Sequence, residues 1–374
     1  MRVLICPDKF AGTLSAPDVA AALADGWRSA APGDDLVCRP LADGGPGFLD
    51  VLQAAVGGQP TAVEAVDPLG RPTPAAVLMV GETAYVESAQ ACGLDLVAPD
   101  ERDPKVTTSY GLGVLIATAV EGGAREIVIG LGGSATNDAG AGALAALGAA
   151  PVDSAGYALP YGGAALAACT ALAGQPRLRS VRLVAATDVD SPLLGIAGAS
   201  SVYGPQKGAS REDVLLLDAA LERFAGVLEE ALPGCPPGLG RLPGGGAAGG
   251  LGAMVLALGG RCESGIGLVA ALSGLNRALD VADLVITGEG SFDDQSLRGK
   301  VVAGVAAAAQ ERGLPCVVVA GRVSAGRREA AAAGVTETHS LVDHFGGLDE
   351  AMAQPAEGLR AVAARLARQF SRRS

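Results

Sequence analysis

The chain has 374 residues, of which 49% are hydrophobic, 18% charged and 3% aromatic. That composition is globular and excludes intrinsic disorder, and the length predicts two domains rather than one core. A formal net charge of −12 excludes the basic footprint that nucleic acid or an anionic membrane surface needs, so neither is an expected partner.

In chain order, "RVLICPD" reads as a strand, and "SAPDVAAALADGWRSAA" as a helix with Ser15 as its N-cap. "DLVCRPL" is a second strand. The apolar start is cut short by Pro7, too early for a signal peptide, and no uninterrupted stretch reads as a membrane helix. "PTAVEAVDPLGRPTPAAVLMVGETAYVESA" alternates and carries turn signals, which predicts antiparallel strands and hairpins. "EIVIGLGG", "VRLVAATDV", "DLVITGEG" and "CVVVAGRV" are near-continuous apolar strands, most of them followed by helical segments. "LPGCPPGLGRLPGGGAAGG" reads as a loop or linker. "APVDSAGYALPYGG" has no clear strand pattern.

Buried strands separated by helices mean α/β, with parallel or mixed sheets in two domains. The expected division is discontinuous: residues 1–62 and 279–374 form one Rossmann- or flavodoxin-like layer, and 63–278 form an inserted domain with the hairpin section. Seven cysteines are scattered with no CxxC pair, which fits reduced thiols in a cytoplasm, with Cys6 and Cys316 as core residues.

Ligands of open α/β sheets bind beyond the carboxyl ends of the strands. Those positions hold Asp8 and Lys9; Asp43, Gly44 and Gly45; Ser134, Thr136, Asn137 and Asp138; Asp188 and Asp190; Glu289, Asp293 and Asp294; and Arg322. Lys207 and Lys300 each follow a glycine-containing turn. Carboxylates, two lysines and glycine-rich turns suit Mg²⁺-bound phosphate, because Mg²⁺ takes one or two carboxylates plus phosphate oxygens and water. A Walker A sequence is absent, as are a G-x-S-x-G elbow and a set of His or Cys metal ligands.

Several of these residues have plainer readings. Ser134 and Thr136 would cap the Ala-rich helix that follows, with Asn137 and Asp138 favouring its positive end. Asp188 and Asp190 would cap a turn, Arg322 would pair with a surface acid, and His339 and His344 would pack in a late loop. Gly130, Gly132 and Ala135 formally match a dinucleotide fingerprint, so an NAD(P)-dependent oxidoreductase of a small hydroxy acid stays open. The acidic residue that the fingerprint needs at the next strand end is not evident.

Seven blocks taken together, "CPDKFAGTLSA", "LADGGPGF", "PKVTTSYGLG", "GLGGSATNDAGAGALAALG", "ATDVDSPLLGIAGASSVYGPQKGA", "GAAGGLGA" and "DLVITGEGSFDDQSLRGK", resemble in order the glycerate kinase type-1 family, over nearly the whole chain. The resemblance implies ATP-dependent phosphorylation of D-glycerate to 2-phosphoglycerate by two α/β domains with a cleft between them. Block by block it implies substrate and phosphate contacts from Asp8, Asp43, Gly44, Gly45, Gly133, Ser134, Asn137, Asp138, Asp188, Lys207, Glu289 and Lys300. On that reading Lys207 and Lys300 neutralise phosphate, Glu289 and Asp293 hold Mg²⁺, and Asp188 takes the acceptor proton. Ser134 and Asn137 hold the substrate carboxylate. Lys9 stands in for a lysine that the family usually carries where this chain has Ala11. Pro46, Phe48 and Ser291 are further departures. The partners expected are D-glycerate and ATP, with a homodimer as the assembly state left open. A sugar-acid-binding relative that no longer transfers phosphate is the non-enzymatic alternative.

Overall fold

The computed structural model describes residues 1–294, 296–297 and 301–371. The chain forms two compact units, one from Met1–Asp43, Asp50–Gly57 and Ile266 onward, the other from Gly44–Leu49 and Gly58–Gly265.

The first unit is built on a five-stranded sheet in the spatial order Glu337–Ser340, Cys316–Ala320, Leu284–Thr287, Arg2–Ile5, Asp35–Cys38, with every neighbouring pair parallel. Numbered within the unit, the order is 2-1-3-4-5, the flavodoxin-like arrangement, whose switch point lies between the first and third strands. The strands Leu284–Thr287 and Cys316–Ala320 are buried along their whole length, as sheets covered on both faces require. The helices Ala16–Ala30 and Pro355–Phe370 pack on each other at Gly26, where a Cβ would overlap the Arg360 backbone. Ser15 caps the first of these helices, its hydroxyl accepting from the Asp18 N–H at 3.3 Å. The helix Val301–Gln310 packs on Leu284–Thr287 and Cys316–Ala320.

The second unit holds a six-stranded mixed sheet in the order Arg261–Glu263, Arg182–Ala186, Glu126–Gly130, Thr83–Glu87, Pro72–Val80, Gln59–Val66. The first four strands run parallel, and the last three form the antiparallel section that alternation and turn residues predicted. Glu87 pairs with Gly130 and Gly130 with Ala186, so three strands end level with one another. Helices Tyr110–Glu121, Arg211–Ala231 and Ala247–Ala257 supply Leu112, Ile116, Leu221, Phe224, Leu251 and Met254 to the core. The architecture is α/β with parallel and mixed sheets. Among the described residues no helix is long and apolar enough to cross a membrane.

Four local expectations change. The apolar run at 316–323 is not one strand: Arg322–Val323 leave the sheet after Gly321 and pair with Ser291–Phe292. "APVDSAGYALPYGG" contains a short strand, Ala150–Val152, but it pairs with Ala171–Ala173 outside the main sheet. His339 lies in the strand Glu337–Ser340, and His344 in the helix Leu341–Phe345, rather than in a loop.

The fourth concerns the start of the Ala-rich helix, Ala141–Ala146. Its cap is Gly140, in the left-handed conformation, without a side-chain cap bond, so neither Ser134 nor Thr136 caps it. Asp138 does that work instead. Its Oδ1 accepts from Gly140 N–H at 3.1 Å and its Oδ2 from Gly142 N–H at 3.2 Å. The same oxygen, Oδ2, also takes the Ser109 N–H at 2.9 Å and the Ser109 hydroxyl at 2.8 Å.

Candidate functional site

The predicted residues fall into two groups, one in each unit. In the first unit the group sits at the switch point. Pairing of the first and third strands continues past their ends, with Asp8 N–H donating to Gly288 O at 2.8 Å. The Thr287 hydroxyl donates to Cys6 O at 2.9 Å. On the other side Gly321 N–H reaches Glu289 O at 3.2 Å and Arg322 N–H reaches Gly290 O at 3.0 Å. Gly288 is required by this lacing, because a Cβ there would overlap the Val319 carbonyl.

A cavity of about 440 Å³ opens at these strand ends. Asp8, Lys9, Asp43, Glu289 and Asp293 all line it, as do Ala11, Ser291 and Arg322. Burial pushes the Asp8 carboxyl up to about 7, with further upward pushes from the Asp43 and Glu289 charges, while Lys9 opposes them. Asp293 Oδ1 accepts from the Ser296 N–H at 3.1 Å, which fixes its loop. Among the described residues no three His, Cys, Asp or Glu form an all-protein metal cage. Oxygen-only donors along one cavity are nonetheless the set that suits Mg²⁺ when substrate phosphates complete its shell. Leu341, Leu348, Ala351, Met352 and Pro355 give the same cavity an apolar lining.

The second unit's group is built on the level strand ends. Glu87 is buried and its Oε2 accepts from the N–H groups of Gly47 and Leu49, each at 3.1 Å, which fastens the 44–49 loop. Gly44 has φ +92°, and a Cβ on it would stand 2.5 Å from Ala186 O. A Cβ on Gly132 would stand 2.7 Å from Gly45 Cα, so the two glycine loops touch backbone to backbone. Pro46 lies over Gly133, and Phe48 is buried against Gly130.

Lys207 lies under this loop pair and is 2% exposed. Its ammonium donates to Ser134 Oγ at 3.0 Å and to Thr136 O at 2.7 Å. Burial lowers its pKa to about 7, against the raising effects of Asp138 and Cys92. Asn137 is buried as well, its Nδ2 donating to Ser200 Oγ at 2.9 Å. Asn137, Asp138 and Lys207 therefore stand behind the loop surface and line neither of the cavities that hold the other candidates. Asp188, two residues beyond Ala186, lines a separate cavity of about 570 Å³, where its Oδ1 accepts from Ser264 Oγ at 2.6 Å. Asp190 lines that cavity too.

Residues 3–371 match the sequence profile described as the Glycerate kinase family. The chain belongs to the glycerate kinase family. The Glycerate 2-kinase of Escherichia coli (strain K12) is 41% identical over 357 residues, covering 94% of this chain and 93% of that protein. The Glycerate kinase of Bacillus subtilis (strain 168) is 39% identical over 369 residues, covering 97% and 96%. A crystal structure from Salmonella typhimurium LT2, of a protein assigned as glycerate kinase 2, matches with a TM-score of 0.82 at 38% identity, covering 99% of this chain and 98% of that one.

For this member of the glycerate kinase family, the structure thus gathers Asp8, Lys9, Asp43, Glu289 and Asp293 on one cavity. It sets Gly44, Gly45, Gly133 and Ser134 in one packed loop pair. Lys300 lies outside the described residues. The dinucleotide alternative lacks its setting, since the glycine turn at 130–135 does not open directly into a helix and the next sheet strand begins only at Arg182. His339 contacts Glu337 and Arg365, and His344 stacks edge-on against Phe345, so both have packing partners. Two contributors escaped the sequence reading. Glu87 ends the strand Thr83–Glu87, within a section whose alternation reads as hairpins and not as an apolar run followed by an acid. Ser264 follows the three-residue strand Arg261–Glu263, too short to register as apolar patterning.

Proposed function

We propose that this chain transfers the γ-phosphoryl group of ATP, as its Mg²⁺ complex, to O2 of D-glycerate, giving 2-phosphoglycerate. Family membership supports glycerate phosphorylation. The donor reading is carried by one observation: the cavity at the switch point combines four carboxylates and Lys9 with an apolar lining. A nucleotide presents the same two faces, an anionic chain that needs a cation and a flat base that needs apolar cover.

Glu289 and Asp293 would hold Mg²⁺ there. Bound Mg²⁺ would offset the phosphate charge that an acidic cavity otherwise repels. Lys9 contributes a positive charge to the same cavity, in keeping with the positioning and neutralisation that phosphoryl transfer needs. In the second unit, Asp188 accepts the proton of the acceptor hydroxyl, and Ser264 fixes the orientation of its carboxylate for that purpose. Ser134 contacts the glycerate carboxylate from a position set by Lys207. Lys300 is retained as a phosphate counter-charge from the sequence pattern. Seven free cysteines agree with a cytoplasmic site of action.

The test is ADP release with D-glycerate in the presence and absence of Mg²⁺, followed by phosphorus NMR of the product. Metal-dependent ADP release and a phosphate on O2 are expected. Failure to release ADP with glycerate overturns the reaction, and a phosphate on O3 overturns the regiochemistry.

A further inference from the structure

The lining of the first unit's cavity divides in part by chemistry along the sequence. Its charged side chains sit at the strand ends, whereas Leu341, Leu348, Ala351, Met352 and Pro355 come from one stretch of helix and turn. None of these five side chains is more than a weak hydrogen-bonding partner. Several backbone N–H groups of that stretch are also engaged internally. Gly346 N–H donates to Val342 O, Ala351 N–H to Gly347 O and Gln354 N–H to Glu350 O, and Pro355 has no N–H to offer. Leu348 and Met352, four residues apart and so on one face of their helix, are 54% and 50% exposed. Large apolar side chains left half open at a cavity edge are surface for a ligand to cover.

Resting on the reading of this cavity as the nucleotide site, we propose that the 341–355 stretch seats the purine ring by its faces and does not read its edge. The enzyme therefore uses ATP and GTP as comparable phosphoryl donors. Adenine and guanine share their apolar faces and differ at the edge, in the groups on the six-membered ring. A site that hydrogen-bonds such a group rejects the analogue by about 10⁴-fold or more, whereas apolar contacts alone discriminate by roughly 10- to 200-fold.

The experiment pairs titration calorimetry of Mg·ADP and Mg·GDP with initial rates on ATP and GTP, on the wild type and on Leu348→Asp and Met352→Asp. Both positions are half exposed, so the variants should fold, and their thermal unfolding checks this. The expected result is Kd and kcat/KM values for the two purines within about tenfold of each other, with both weakened together by each substitution. A preference for adenine above about 10³-fold, with both substitutions still weakening binding, overturns edge-blindness and leaves the nucleotide site standing. Unchanged Kd for both nucleotides in the folded variants removes the nucleotide from this wall, and the cavity reading fails with it.

Discussion

The two strand-end groups use similar residues to opposite effect. In the first unit the charges are mostly of one sign and line a cavity, and burial, helped by the Asp43 and Glu289 charges, lets Asp8 hold its proton to about 7. In the second unit a lysine and a carboxylate of opposite sign are both buried, and each is surrounded by hydrogen-bond partners. The open group faces a cavity of about 440 Å³. In the closed pair Lys207 ties Ser134 to the Thr136 carbonyl, and Asp138 ties Ser109 to the start of the Ala141–Ala146 helix. Charged residues that the sequence marks alike therefore stand in two settings, at an open cavity or buried among hydrogen-bond partners.

The strongest way to break this contrast is Asp188→Asn, which should lower kcat by about 10²- to 10⁴-fold with no change in unfolding temperature. Near-normal turnover would remove Asp188 from proton transfer. Lys207→Met should act on the fold. It leaves Ser134 Oγ, Thr136 O and the Asp138 charge without their cation, at a cost of about 3–5 kcal/mol. Calorimetry should show the unfolding midpoint lower by roughly 10 °C, whereas Lys9→Met should leave it within about a degree. Equal shifts for the two lysines would erase the distinction between the groups.

A smaller effect is expected of Glu87→Gln. Weakening two charge-assisted bonds to the 44–49 loop should cost about 1–2 kcal/mol and show as a higher KM for glycerate, with kcat less affected. An unchanged KM would mean that the loop keeps its place without the carboxylate.

The smallest effect sharpens the comparison through pH. Below 3.8, the ordinary value for Asp8, both folded and unfolded chains carry its proton. Between 3.8 and about 7 the unfolded chain has released the proton and the folded one has not, so stability falls as pH rises through that window. Asp8→Asn should therefore raise metal-free stability at pH 8 by about 1–2 kcal/mol after allowance for solvent screening, and leave it unchanged at pH 4. A variant no more stable than the wild type at pH 8 would show that Asp8 is not held against its charge.

Much of this was legible in the sequence. The apolar runs at 126–130, 182–186, 284–287 and 316–320 are strands because buried parallel sheets need unbroken β-branched and aliphatic residues. Reading the residue after each run found Asp8, Asp43 and Glu289, which share one cavity. What the sequence hid was depth. Asp138 and Lys207 look like exposed ligands in their glycine-rich surroundings, yet both are buried, and the glycines at 249 and 250 let backbone pack closely against Lys207 and against Ala139, next to Asp138. Burial of that kind depends on contacts between residues some seventy apart, such as Lys207 with Ser134, and local patterning does not report it.

The pairing of Val3 with Leu284 carries a consequence for synthesis. The strand Arg2–Ile5 leaves the ribosome some 280 residues before its neighbour toward the sheet centre. At about 5–20 residues per second, the amino-terminal strand waits roughly 15–60 s for that partner. The residues of the second unit are all synthesised in the interval and can pack meanwhile. The cavity that carries Asp8 and Glu289 is then the last part of the chain to take shape, and the apolar segment "RVLI" is what a nascent-chain chaperone would have to shield until it does.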